Sequence, residues 1–349
     1  MDMESWQQLL SLESRDIVSQ WFEQLHGRQL NARRAKEINA AAKQAREYFK
    51  NASISDYSVR PLFTFYGVAS LSRSLLLLLQ RDNGEETLTK GHGLETIDWG
   101  SVISREDGAD LKQATNLKIR TRAGLFYDFL RGTKNALPLH VRSSAVDGVI
   151  EYPVPDAGDT ISFGDLLSRI PDLEKDFTQL STDIKYSCVH EIAHDENSFG
   201  LRIKIWKKGF SNFSQIYDEL GYTNAANGDL IELSAKPDIA LKNQPQFIHT
   251  YAQKTFGSIP GLFIAAPFPS GARYSQICIT YMVSFVIGML ARYYPTQWVS
   301  LIRGEKGDMW WPTINRAQQF VERSFPELIV EFVAQSLKQR AEAQQNPDQ

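Results

Sequence analysis

The stretch VRPLFTFYGVASLSRSLLLLL, Val59–Leu79, is apolar on nearly every side of a helical wheel and closes on a run of leucines. Such a helix belongs either at the centre of a large domain or in a bilayer. Arg60 and Arg73 interrupt it, and a cation is costly at the middle of a membrane. The segment is therefore predicted as a buried helix, with Pro61 tolerated in its first turn. A second stretch, YSQICITYMVSFVIGMLA at Tyr274–Ala291, is uncharged between Arg273 and Arg292 but diluted by Ser275, Gln276, Thr280, Tyr281 and Ser284. It too is predicted as a core helix, and the rest of the chain has to be arranged around the pair.

Working outward, the first third reads as helical. Ile17, Val18, Trp21, Phe22 and Leu25 recur at helical spacing and stop at Gly27, a residue suited to the left-handed end of a helix. Asn31 is placed to cap a second helix whose inner face is Ile38, Ala42, Ala45 and Phe49. From about residue 84 to 160, glycines and short alternating runs such as Leu117–Arg120 and Val149–Tyr152 indicate strands and loops. SFGDLLSRIPDLEKDF, from Ser162, reads as two short helices broken before Pro171. GLRIKIW at Gly200–Trp206 alternates as a half-exposed strand, and Phe213–Leu220 is predicted as a short helix closed by Gly221. Short apolar runs at Leu230–Leu233 and Leu262–Ala266 indicate further irregular α+β structure. The chain then returns to helices: Tyr274–Tyr294, Ile314–Val321, and Leu328–Leu337 with Ser324, Pro326 and Glu327 at its start. The expectation is a mainly α (α+β) protein: a single large domain over 1–338, helical at 1–82, mixed at 83–272 and helical again at 273–338, with a disordered tail at 339–349.

Composition limits the function classes. The chain has 349 residues, with 38 Lys+Arg against 41 Asp+Glu, so the global basic field of a protein that coats nucleic acid is missing. Cys188 and Cys278 are the two cysteines, too few for a disulfide framework or a Cys-rich metal site. The N-terminal MDMESWQQLL shows no basic segment followed by an apolar run, and a cytoplasmic location is expected. The Walker, dinucleotide-binding and nucleophile-elbow patterns are absent from the sequence.

Four segments together resemble one known family: RPLFTFYGVASLSRSLLLL at 60–78, KGHGL at 90–94, SFGDLLSRIPDL at 162–173 and MVSFVIGMLARYYPTQW at 282–298. In order and over most of the chain they are similar to the YaaC-like family of bacterial proteins. That resemblance implies a cytoplasmic, predominantly helical bacterial protein without an established reaction. A looser similarity in style to HEPN-type helical domains has a test, since the catalytic HEPN RNases place Arg and His four to six residues apart. Arg131 and His140 come nearest here and are too far apart.

The sharpest chemical motif is HEIAH, His190–His194. On a helix His190 and His194 would lie one turn apart and could bind zinc, with Glu191 activating the bound water and Glu219 or Glu232 as a third ligand. The polar continuation Asp195–Glu196–Asn197 and the strand pattern that follows argue for a helix end or turn instead. His92, between Gly91 and Gly93, can project from a tight turn into a pocket. Arg60, Tyr66 and Arg73 on the apolar helix could join His92 in an anion-binding site, or serve as structural ion pairs. Arg292, followed by two tyrosines and Trp298, could stack on and contact the phosphate of single-stranded nucleic acid, or simply close its helix. Arg202, Lys204, Lys207 and Lys208 around Trp206 could contact phosphates, or form the solvated face of a strand.

The expected ligand-binding set is therefore Arg60, Tyr66, Arg73, His92 and Arg292, in a binding or regulatory component acting with a nucleic acid, nucleotide or protein partner, in stress or phage defence. A zinc-dependent hydrolase using HEIAH is the enzyme alternative, and an oligomeric scaffold the third. No cofactor is expected outside the zinc alternative, and no membrane partner.

Overall fold

The computed structural model describes residues 3–82, 84–103, 111–140, 147–181, 183–195, 200–208, 222–235, 248–250 and 262–345. It is mainly α with some β. The chain forms two compact units: residues 1–135, 154–164 and 277–349 in the first, 136–153 and 165–276 in the second.

The first unit opens with α1 (Met3–Leu9), α2 (Arg15–His26), α3 (Ala32–Ile54) and α4 (Arg60–Leu79). Local chemistry sets their ends as expected. The Ser14 hydroxyl accepts from the Ile17 amide, Gly27 ends α2 at φ 66°, and the Asn31 side chain accepts from the Arg34 amide. The apolar run is α4 itself, with Phe65, Val68, Leu71 and Leu75–Leu78 fully buried. A helix buried this completely leaves its last carbonyls without water. Arg34, 4% exposed, fills that need, donating to the carbonyls of Leu77, Gln80 and Arg81 beneath the Phe22 ring. A cation is also the charge that the negative end of a helix dipole favours.

The same unit contains β1 (His92–Ile97), α5 (Trp99–Ile103), β2 (Lys118–Gly124), α6 (Leu125–Gly132) and, after an excursion of the chain, β5 (Thr160–Ser162). The strands form an antiparallel sheet in the order β1-β2-β5. The C-terminal part supplies α9 (Gln276–Tyr293), α10 (Pro295–Ile302) and α11 (Trp311–Gln345). At Gly288 on α9, an added Cβ would fall 2.9 Å from Cβ of Phe65, so the missing side chain is what lets α9 approach α4. The apolar windows of α4 and α9 are 67% and 89% buried within the fold.

The C-terminal region departs from expectation. Two helices were predicted around Pro326, but α11 runs unbroken through it and continues to Gln345, into the segment expected to be disordered. Both sides of the proline are anchored in the core by Val321, Phe325, Ile329 and Val333. Burial of these side chains, worth roughly 1.5–3 kcal/mol each, outweighs the roughly 3 kcal/mol that an interior proline costs a helix. Ser324 and Glu327, expected as caps, are instead buried in the middle of the helix.

The second unit contains a hairpin of β3 (Ala136–His140) and β4 (Asp147–Glu151), two short helices, α7 (Phe163–Leu167) at its border and α8 (Glu174–Phe177), and a six-stranded sheet. Its strands are β6 (Tyr186–Asp195), β7 (Gly200–Trp206), β8 (Thr223–Asn227), β9 (Leu230–Ala235), β10 (Ile248–Thr250) and β11 (Leu262–Ala265), all antiparallel, in the order β10-β11-β6-β7-β9-β8. Ile203, Ile205 and Leu233 fill one face. Arg169, 5% exposed, donates to the carbonyls of Asp165, Ala266 and Pro267 and lies over Phe268. The helix predicted at Phe213–Leu220 lies outside the described residues.

Arg60 at the start of α4 is bound on two nitrogens by the carboxylate of Glu322 on α11, which also accepts from Thr64 and Gln318. Both side chains are largely buried, at 18% and 13% exposure. Glu322→Ala should cost about 3 kcal/mol, because it strands a buried cation. Arg73→Ala, which removes an exposed pair with Glu85, should cost less than about 1 kcal/mol. Urea unfolding of the two variants beside the unaltered chain checks the difference.

Candidate functional site

Three of the five expected ligand-binding residues meet in the first unit. Tyr66 lies on the half-buried side of α4, His92 begins β1, and Arg292 is in the last turn of α9. Arg292 donates from Nη1 to the Tyr66 hydroxyl at 3.0 Å. Its guanidinium lies 5.1 Å from the centre of the exposed Tyr293 ring. The His92 ring meets Phe65 edge-on at 5.1 Å and lies 6.2 Å from Phe285. Tyr48 of α3 completes the group, with its ring 5.7 Å from that of Tyr66 and tilted 31°.

The chain around His92 is held firmly. Gly91 and Gly93 have φ of +93° and +79°, and the β1–β2 register shifts between His92 and Leu94. A Cβ on Gly93 would sit 2.6 Å from the Phe126 amide nitrogen, so only glycine allows β1 to pass so close to the start of α6. The Leu125 amide donates to the Gly91 carbonyl at 3.0 Å. Asp128 accepts from both the amide and the hydroxyl of Thr89. Bulges of this kind re-aim a side chain and occur beside functional sites.

The electrostatics of the cluster are one-sided. Among the described residues Arg292 has no carboxylate within ion-pair distance, and the His92 ring nitrogens have no hydrogen-bond partner. Burial, helped by the nearby Arg292 charge, lowers the His92 pKa and keeps the ring neutral. The group therefore presents a guanidinium fork, an imidazole that can donate one N–H, and aromatic faces. That is a set of donors around a single positive charge.

Arg60 and Arg73 do not join it. Arg60 is taken by Glu322, and Arg73 Nη1 bonds Glu85 at 3.2 Å. Both arginines are thus engaged by carboxylates. Sequence reasoning missed Tyr48, Glu322 and Glu85. Glu322 lies far along the chain from Arg60 and nothing local signals the pairing, whereas the Tyr48–Phe49 pair on an amphipathic helix could have marked Tyr48 as bordering the core.

HEIAH lies in strand β6, not in a helix. Along a strand, positions four apart are about 13 Å apart at 3.3 Å per residue, against about one helical turn of 5.4 Å. The pairing with β7 shifts between Val189 and Glu191, a bulge at His190. His190 is exposed, packing edge-on against Trp206 at 5.8 Å, and Glu191 bonds Lys204 at 2.6 Å. His194 pairs in register with Leu201. The helical two-histidine geometry that a zinc hydrolase would need is therefore not formed by these residues. Glu232, one suggested third ligand, lies instead 4.0 Å from Arg202, and Glu219 is outside the described residues. Among the described residues no group of three or more His, Cys, Asp or Glu is placed to hold a metal.

Three members of the basic cluster on and just after β7 are paired, and Lys207 has no ion pair among the described residues. Lys204 pairs with Glu191, Arg202 with Glu232, and Lys208 with Glu174. Exposed cross-strand pairs of this sort solvate a sheet face and contribute little to binding or stability.

A family model described as YaaC-like Protein matches residues 10–333. No curated protein and no solved structure matches the chain.

The depressed His92 pKa has a measurable consequence. The unfolded chain takes up this proton more readily than the folded one, so the contribution to stability is present at neutral pH and is lost on acidification below about pH 6.5. His92→Gln is expected to flatten that decline in unfolding free energy. His26, also depressed by burial, should account for part of the slope that remains.

Proposed function

The chain belongs to the YaaC-like family, and from that premise we propose that it is a cytoplasmic binding component whose ligand site is the Tyr66–His92–Arg292 cluster and whose ligand carries an oxyanion. The observation that supports this most directly is a guanidinium that, among the described residues, has no carboxylate partner, beside an imidazole that has no hydrogen-bond partner among them. Arg34, Arg60 and Arg169 are all satisfied by carbonyl or carboxylate oxygens. A planar guanidinium suits phosphate or carboxylate oxygens because its N–H groups form a fork. Of the partners expected from sequence, a nucleotide or nucleic-acid phosphate fits this donor set best. A general acid or base needs a positioned reaction partner as well as a donor, and the cluster supplies recognition without an evident nucleophile.

Line broadening of the 31P signal of inorganic phosphate by the full-length protein tests the reading. Arg292→Gln should abolish the broadening, His92→Gln should weaken it, and Arg73→Gln should leave it unchanged. Broadening that survives Arg292→Gln would place the anion elsewhere and remove the site.

A further inference from the structure

We infer that the first unit holds a second binding site, an apolar cavity between α1, α2 and α11 that takes a small neutral molecule with a hydrocarbon body and one hydroxyl or carbonyl end. The cavity encloses about 260 Å³ and shares no lining residue with the Tyr66–His92–Arg292 cluster.

Its walls decide the chemistry. Leu9 ends α1, Leu12 lies in the 3₁₀ turn Leu10–Glu13, Trp21 is on α2, and Val333 and Leu337 are on α11. Leu9, Leu12 and Val333 are buried, so the space reaches below the surface. Among the described residues none that lines it is charged, and a carboxylate or ammonium entering it would lose hydration without gaining a counter-charge. That restricts the occupant to neutral molecules. At the edge, Gln8 and Ser11 carry an amide and a hydroxyl that have no hydrogen-bond partner among the described residues. Each can both donate and accept, which suits a hydroxyl or a carbonyl. A few polar groups in an otherwise apolar concavity are the usual make-up of a small-molecule site.

The cavity is held open by ties made outside it. Interiors ordinarily pack without voids larger than a water molecule, and a void shrinks when its walls are free to relax. Here the Leu12 carbonyl accepts from Asn39 at 2.6 Å, and Glu13 grips Arg46 through both oxygens at 2.6 and 3.1 Å. The Leu337 carbonyl accepts from Gln24 at 3.0 Å. The turn is thereby pinned to α3, and α11 to α2, whatever fills the space between them. Volume then sets the size of the occupant. An engineered apolar cavity of about 150 Å³ takes benzene, so this one has room for up to about ten non-hydrogen atoms.

Methyl NMR spectra of the full-length protein, titrated with 1-butanol, 1-hexanol, 1-octanol and octanoate, test the assignment. The Leu12, Val333 and Leu337 methyl signals should shift and saturate, with affinity rising about fourfold per methylene along the alcohols, as for hydrocarbon taken out of water. Octanoate should bind on the order of tenfold or more weakly than 1-octanol, because its charge finds no partner in the cavity. Ala334→Phe and Ser11→Phe each fill the space from a partly exposed position and should abolish the shifts; the pair keeps the test valid where one of them disturbs the fold. Shifts that fail to saturate, that ignore chain length or that persist in both filled variants overturn the site. Octanoate binding as tightly as 1-octanol overturns the neutral class. If the same methyl signals move with protein concentration in the absence of alcohol, a second copy of the chain covers the cavity and the small-molecule inference is overturned.

Discussion

A helix buried on nearly all sides has to find partners for its own charges and for the polar groups at its ends, and α4 does so at both. At its N-terminus the Arg60 guanidinium is held by Glu322, with Thr64 and Gln318 closing the network. At its C-terminus Arg34 takes up the carbonyls that water cannot reach. The cost of leaving any of these groups bare in the interior is several times that of an exposed pair. This constraint fixes where α3 and α11 lie against α4, and it commits two arginines that could otherwise have served a ligand.

The candidate site follows from what remains. The end of α9 brings Arg292 to the margin of that core, where Tyr66 meets it and, among the described residues, no acid does. The glycines around His92 let β1 run against α6 closely enough to place an imidazole between Phe65 and the guanidinium's field. Rigid elements therefore present the donors, and the bulge at His92 sits where the strand must turn its side chain toward the helices. On the sheet of the second unit, Arg202 and Lys204 are paired with Glu232 and Glu191.

The motif that looked most chemical in the sequence, HEIAH, shows how much a spacing depends on the secondary structure beneath it. Four residues make one turn in a helix but span about 13 Å in a strand, and the strand pairing shifts register at His190. The sequence carried the warning in Asp195–Glu196–Asn197 and in the alternating GLRIKIW, whose cross-strand partner HEIAH turned out to be. Pro326 carried the opposite lesson, since a strong local breaker was overridden by the apolar side chains flanking it.

By itself the sequence determined the family, the mainly helical class, the two core helices and most helix ends in the first third, because caps, glycine stops and apolar periodicity act over a few residues. It also supplied Tyr66, His92 and Arg292 as candidates. Only the tertiary structure decided which arginines were spent on structure. Arg60 meets a partner 262 residues away, while Arg73 meets Glu85 only 12 residues on; neither pairing leaves a periodic trace in the chain. Ion pairing depends on which side chains share a desolvated space, and that is a property of the packed core rather than of any segment within it.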